Sequence, residues 1–468
     1  MSLFDTILKT SAWVLLGYMC FVVTVYGGML IVSLLTVRKQ FKLNKTEPYE
    51  ELLHSVYTKP VSILVPAYNE SAGIYGTIRS LISIEYPEYE MLVINDGSTD
   101  DTLEKLIVRF KLKKIRRVVR KQLSTKEIKA VYQSDLYPNL YVIDKENGGK
   151  ADALNAGINF SRFPYFCSLD GDSVIERNAF LKVLKPIIES GDEVIATGGS
   201  IRIANGCTIR NGELTAVGLS DKPLVVMQVI EYLRAFLAGR IGLSRTNLLL
   251  IVSGAFGVFS KRWVIEAGGY SHTVGEDMEL VVRLHRMIKE RKLNKKIVYV
   301  PDPVCWTEAP ESARFLRRQR KRWHRGLFES IWIHRKLLLN PKYKSIGLIS
   351  MPYYFFVEFL GPIVELAGYL LLIVAWFRGD VYVDVALMFF LLSVIYGSLF
   401  SVAAVLMEEW SMEKYPHVSQ LFVLFVYAMT ESFWYRPLTV FWRIEGIIDV
   451  ITGRKGWGDM VRKGVSSE

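Results

Sequence analysis

The sequence predicts an α/β protein: a mostly parallel sheet with helices on both faces, joined at each end to helices of membrane length. Three observations carry this. Short β-branched runs alternate with helical patterns from about residue 61 to 300. Uncharged apolar runs long enough to span a bilayer lie on either side of that region. And the chain is 50% hydrophobic yet 22% charged over 468 residues. With a mean hydropathy of +0.21, that mix means segregation into soluble and membrane stretches.

The elements follow in order. Residues 11–37 form an uncharged run, long enough to cross about 30 Å of hydrocarbon. A signal peptide is the rival reading, but the run exceeds a typical h-region and no small-residue cleavage site stands out after it. Arg38, Lys39, Lys42 and Lys45 follow it, against Lys9 before it. The positive-inside rule therefore puts the N-terminus outside and the next domain in the cytosol. Strands are expected at 61–65, 91–94, 140–143, 165–169, 194–197 and 297–300, and helices at 71–84, 100–110, 150–160, 178–189 and 276–289. Between them, residues 105–129 are strongly basic and read as a solvated excursion, with membrane-surface contact second. A very basic helix is expected over about 313–338, with a membrane-surface placement explaining most of its charge. Spans are expected at 346–377 and 385–407, with Asp380 and Asp384 marking the turn between them. Glu358 and Glu365 lie seven apart in the first of these, on one helical face, as headgroup-level charges or as members of a polar path. Residues 418–430 are apolar but short for a crossing, and 433–451 read as an interfacial helix. Merging these last two into a third crossing is the competing choice. The domains expected are thus 1–45, 46–310, 311–345, 346–410 and 411–468.

The net charge of +11 allows nucleic-acid binding in principle. The favoured reading is contact with anionic lipid headgroups and phosphates, because the basic residues lie near membrane segments. Cys20, Cys167, Cys207 and Cys305 form no CxxC pair, so no zinc or redox motif is visible.

Four motifs can carry chemistry. Asp96 ends an apolar strand before Gly97-Ser98-Thr99-Asp100. An Asx turn and helix cap explain Ser98 to Asp100, without excluding Asp96 from gripping a base or ribose. Asp170-Gly171-Asp172 ends another strand. Two carboxylates about a glycine can hold a hard divalent cation and leave positions for phosphate oxygens, whereas a lone DxD is common by chance. Asn147-Gly148-Gly149-Lys150 precedes a helix, where amides and a lysine suit a phosphate; a glycine turn with a solvated lysine is the bland alternative. It is not a P-loop. Glu276-Asp277 opens a helix after Gly275. The helix dipole alone favours acids there; functionally, Asp277 can take a proton from a hydroxyl. Gln319, Arg322 and Trp323 form a QxxRW on the basic helix. Its arginines can neutralise a diphosphate, and an indole offers a flat face to a sugar ring.

Taken together, these motifs resemble the processive, membrane-embedded family 2 glycosyltransferases: cellulose, hyaluronan, chitin-oligosaccharide and poly-N-acetylglucosamine synthases. The resemblance runs from Val61 to about Arg462 and lies in the order and spacing of the motifs. It implies a GT-A (Rossmann-like) domain, a UDP-sugar donor (UDP-GlcNAc or UDP-Glc foremost), Mg2+ or Mn2+, and inversion at the anomeric carbon. By matching position, Ala67, Tyr68, Glu70 and Asp96 surround the uracil. Lys150 and Asp170 contact the nucleotide-sugar, Asp172 is the main metal ligand with Asp170 beside it, and Asp277 is the base, paired with Glu276. Gln319, Arg322 and Trp323 close over the diphosphate and acceptor end. Trp457, Gly458 and Arg462 match a gating loop more loosely. The implied partners are a polysaccharide acceptor, membrane lipids and a small membrane subunit or a second copy, with no nucleic acid. The implied setting is the plasma membrane, multi-pass, with export of the polymer. The family's usual Thr-Glu-Asp is Gly275-Glu276-Asp277 here, and few crossings follow the domain. Two rival readings stay open: a transferase that adds one sugar to a lipid, and a catalytically silent membrane scaffold.

Overall fold

A computed structural model describes residues 3–46, 49–55, 57–378, 383–412 and 418–453. The gating-loop match at Trp457, Gly458 and Arg462, and Asp380, lie outside these residues.

Twelve strands are present among the described residues: β1 (Val61–Ala67), β2 (Tyr89–Asp96), β3 (Leu112–Ile115), β4 (Ile128–Ser134), β5 (Leu140–Lys145), β6 (Tyr165–Leu169), β7 (Ser173–Ile175), β8 (Val194–Ile203), β9 (Thr208–Arg210), β10 (Glu213–Ala216), β11 (Phe256–Ser260) and β12 (Lys296–Thr307). Ten make one sheet in the order β3-β4-β5-β2-β1-β6-β11-β8-β12-β7, and β9 and β10 form a separate hairpin. The block β5-β2-β1-β6 is parallel. Beyond it β11 runs antiparallel to β6 and β8, while β8 and β12 pair in parallel. The expected mostly parallel sheet is therefore mixed. The basic stretch read as a solvated excursion holds β3 and the first residues of β4, which form an antiparallel edge on β5, while residues 116–127 between them carry no regular structure and are largely exposed. Charged, exposed side chains suit an edge that faces water, and they hide its strand pattern.

The sheet is buried on both faces because its strands alternate. In β1, Ile63 and Val65 enter one core and Leu64 the other. The helices Ile74–Ile82 and Ala179–Glu189 cover the first face through Ile78, Leu81, Phe180 and Leu184. The helices Lys150–Phe160 and Glu276–Glu290 cover the second through Leu154, Ile158, Leu280 and Leu284. Each such side chain contributes about 1.5–3 kcal/mol on burial. All four of these helices were expected, with ends shifted by three residues or fewer.

Among the described residues, three helices are long and apolar enough to cross a membrane: Lys9–Lys39, Ile346–Arg378 and Phe390–Trp410; Val418–Phe433 is shorter. The first is tied to the second and to the segment Arg234–Arg240. Tyr18 Oη donates to the Phe356 carbonyl (2.8 Å), and Ser33 Oγ to the Ala238 carbonyl (2.7 Å). Tyr26 and Tyr353 both donate to Glu358, at 2.7 and 2.5 Å, while Glu365 pairs with Arg436 through two bonds of 2.8 and 2.5 Å. Both acids are satisfied internally, as charges at such positions must be. Strand β8 is joined to the helix Phe400–Met412 by an ion pair, Arg202 with Glu408, buried on both sides.

The basic helix Ala313–Ile333 packs against the final helix Tyr435–Ile451. Much of its charge is met by protein rather than left for lipid. Arg317 pairs with Glu445, and Lys321 with Asp449, both on the final helix Tyr435–Ile451. Gly446 lets the two backbones meet: a Cβ there would stand 2.9 Å from the Lys321 carbonyl oxygen.

Candidate active site

The site forms where the carboxyl ends of β6 and β8 meet three helix ends. Asp170, Gly171 and Asp172 make the turn from β6 into β7. Thr77 Oγ1 donates to the Gly171 carbonyl at 2.7 Å and fixes that turn. The Glu70 side chain packs beside Gly171, where an added Cβ would stand 3.5 Å from Glu70 Cγ.

Lys150 opens its helix after Gly149, whose φ of +85° suits glycine. Its ammonium reaches Asp170 Oδ1 (2.8 Å) and Glu276 Oε1 (3.2 Å). Removal from water alone would lower the ammonium's pKa, but Asp170, Glu276 and Asp277 outweigh that and raise it. Burial pushes the Glu276 carboxyl up, against the pull of Lys150. Asp277 is aimed by backbone: Oδ2 accepts from Gly254 N–H (3.0 Å) and Oδ1 from Met278 N–H (2.8 Å).

Gln319, Arg322 and Trp323 approach from the helix Ala313–Ile333. Gly275 meets Gly326 of that helix so closely that a Cβ on either would stand 2.9 Å from the other's Cα. Glu329 on the same helix accepts from Val274 N–H at 3.0 Å. No side chain fits at Gly275 between this loop and the helix as they stand.

One cavity of about 740 Å³ unites these groups. Lys150, Asp170, Asp172, Glu276, Asp277, Gln319, Arg322 and Trp323 all line it. It continues to Tyr26, Tyr353, Glu358, Glu365 and Arg436, on or against the long apolar helices. Ala67, Tyr68, Glu70 and Asp96 lie outside its lining. Ala67 is buried at the end of β1 and Tyr68 is half exposed. Asp96 is buried, and its carboxylate accepts from Lys145 Nζ (2.5 Å), Gly148 N–H (3.0 Å) and Gly149 N–H (2.7 Å). It holds the loop that presents Lys150.

Among the described residues, no three His, Cys, Asp or Glu side chains stand together to hold a metal. Asp170 and Asp172 alone are a hard-oxygen pair. That fits an ion of the Mg2+ type, which uses one or two carboxylates and completes its shell with phosphate oxygens and water.

Sequence reading missed Glu231, Lys145, Gly254 and the Gly275–Gly326 contact. Glu231 had a signal, being the one acid in the apolar helix Pro223–Leu233. The others depend on chain segments far apart in sequence.

Comparison with known proteins agrees with this architecture. Residues 59–326 match the family model "Glycosyltransferase like family 2", and residues 226–435 match "Glycosyl transferase family group 2". The poly-beta-1,6-N-acetyl-D-glucosamine synthase of Staphylococcus epidermidis is 29% identical over 288 residues, 60% of this chain and 59% of that protein. The synthase of Staphylococcus aureus strain COL is 28% identical over 288 residues, covering 59% of this chain and 58% of the relative. The chain therefore spans somewhat under two thirds of the length of these relatives. The mannosyltransferase PcManGT from Pyrobaculum calidifontis, solved with GDP-Man and Mn2+, superposes with a TM-score of 0.53 at 16% identity, over 90% of this chain and 99% of that one. This last likeness concerns the fold. With its mixed sheet, its acidic strand-end turns and a family model covering more than half of it, the chain belongs to glycosyltransferase family 2.

Proposed function

We propose that this glycosyltransferase is an inverting, processive enzyme that moves a sugar from a UDP-sugar to a growing β-linked exopolysaccharide. The observation that carries the reading is the single cavity. In it Lys150, Asp170 and Asp277 face Gln319, Arg322 and Trp323, and it runs on to Glu358 and Glu365 of a membrane-length helix. A donor site, an acceptor platform and a way onward share one space. UDP-GlcNAc is the foremost donor, given the named activity of the curated relatives, and UDP-Glc the next.

The uracil would lie by Ala67, Tyr68 and Glu70, with Asp96 acting through the loop it holds. Lys150 and Arg322 bring positive charge to the diphosphate. Asp172, with Asp170, would hold Mg2+ or Mn2+, whose charge supports departure of UDP. Asp277, fixed by two backbone N–H groups, receives the proton of the acceptor hydroxyl. The hydroxyl oxygen attacks the anomeric carbon from the face opposite UDP. The bond to UDP breaks, and its electron pair leaves on the diphosphate oxygen. The anomeric centre inverts. Glu276 steadies Lys150.

In this reading the N-terminus is outside, the catalytic domain is cytosolic, and the protein crosses the plasma membrane several times. Export follows the cavity, completed by a small membrane subunit or a second copy. The test incubates purified protein with UDP-GlcNAc, UDP-Glc, UDP-Gal and UDP-GlcA in turn, with Mg2+ or Mn2+, and measures UDP release and product size. A polymer from one donor is expected. A lipid bearing one sugar would replace the processive reading. Wild-type UDP release by Asp277→Asn would overturn the assigned base.

A further inference from the structure

We infer that Glu231 and Arg320 are positioning residues which set the indole of Trp323 for the acceptor. The inference rests on the reading of Trp323 as the acceptor platform.

Arg320 and Trp323 lie three apart on one helix and so share a face. The Arg320 guanidinium carbon stands 4.3 Å from the indole centroid. Arg320 is only 1% exposed, whereas Trp323 is 43% exposed and lines the cavity. The arginine thus backs the ring from inside the protein while the ring faces the acceptor space. Arg320 Nη2 donates to Glu231 Oε2 at 2.6 Å, and Tyr435 Oη donates to the same oxygen at 2.7 Å. Arg443 approaches the other oxygen at 3.9 Å. Burial would raise the Glu231 carboxyl, but Arg320 and Arg443 outweigh it and hold it lowered, so it is ionised. Three helices, Pro223–Leu233, Ala313–Ile333 and Tyr435–Ile451, therefore fix one guanidinium plane.

This is an expensive way to fill space. Arg320 Nε and Nη1 find no hydrogen-bond partner among the described residues, and a buried donor left so is destabilising. An apolar side chain would pack there without that penalty. What the arginine adds is a flat cation of fixed orientation, which attracts an indole face. A lysine would keep the pairing with Glu231 and lose the plane. Glu231 acts at one remove, by aiming Arg320.

The test uses full-length, detergent-solubilised enzyme, with size-fractionated oligosaccharides of its own product as acceptors. Donor KM, acceptor KM and kcat are measured for Arg320→Lys, Trp323→Ala and the double variant. Arg320→Lys is expected to raise acceptor KM about fivefold, the scale of one cation–π contact, with donor KM nearly unmoved. In the Trp323→Ala background the same change should add almost nothing, because its effect runs through the ring. Additive effects, or a parallel rise of donor KM, would overturn the positioning role and leave the platform standing. An unchanged acceptor KM in Trp323→Ala would remove the platform and the positioning role together. If Arg320→Lys does not fold, Glu231→Gln serves: it keeps the shape and weakens the aim, and the same cycle with Trp323→Ala decides.

Discussion

Gly275→Ala adds one methyl group at a tight backbone contact of the active site. Its Cβ would lie 2.9 Å from Gly326 Cα and 3.0 Å from the Gly326 carbonyl carbon and oxygen. Carbon atoms rest at about 3.5–4.0 Å, so the helix Ala313–Ile333 must withdraw by about 0.6–1 Å. No flexible side chain can yield instead, because the opposing atoms are backbone. Overpacking of this kind costs about 1–3 kcal/mol. The larger effect is kinetic. Asp277 stays with the loop while Gln319, Arg322 and Trp323 move with the helix, and a misplacement near 1 Å can cost up to about 100-fold in rate. UDP release by the purified variant should fall by about 10- to 100-fold, with only a modest drop in melting temperature. Gly326→Ala should do the same, since its Cβ meets Gly275 Cα at 2.9 Å. A Gly275→Ala enzyme of near wild-type rate and melting temperature would refute the claim that this contact sets the distance from base to platform.

Lys150→Met leaves Glu276 buried without its ammonium, so donor KM should rise at least tenfold and stability should fall by about 1–3 kcal/mol, read by donor titration and thermal melting. Arg202→Met removes the guanidinium from a buried ion pair with Glu408 and should cost about 3–5 kcal/mol; Arg202→Met with Glu408→Leu should recover part of that loss in the same melt. Burial lowers His285 from 6.5 to about 4, so as pH falls the unfolded chain takes up that proton first. The stability it protects is whole above pH 6.5, and about 3 kcal/mol is lost between there and about pH 4. His285→Gln should flatten that part of the melting profile.

What the sequence could show depended on how local its cause was. The helix Lys150–Phe160 was legible to the residue, because Gly148-Gly149 marks its start and Ser161 and Pro164 follow its end. The strands β1, β2 and β5 were legible as β-branched runs between turns, and β6 as a short apolar run. Strand β11 was not: Phe256-Gly-Val-Phe-Ser is short, holds a glycine, and is a strand only because β6 and β8 flank it. The edge pair β3 and β4 hid behind lysines and arginines. The site divides the same way. Asp170, Asp172, Lys150 and Asp277 stood out as motifs, and the cavity gathers them. Asp96 stood out too, yet its carboxylate is spent on Lys145 and two backbone amides. Glu231 and Arg320 are 89 positions apart, and no local pattern announces such a pair.

The ties of the first long helix have a consequence for biosynthesis. Tyr26 meets Glu358 across 332 positions, and Tyr18 meets the Phe356 carbonyl across 338. Translation at about 5–20 residues per second separates the appearance of these partners by about 20–70 s. For that interval the nascent helix must keep its tyrosines supplied with other hydrogen-bond partners, while the whole α/β domain emerges and folds behind it. The second long helix to be made completes the first. A ribosome stalled before residue 346 would therefore hold a finished catalytic domain beside a first helix with these two ties still unmade.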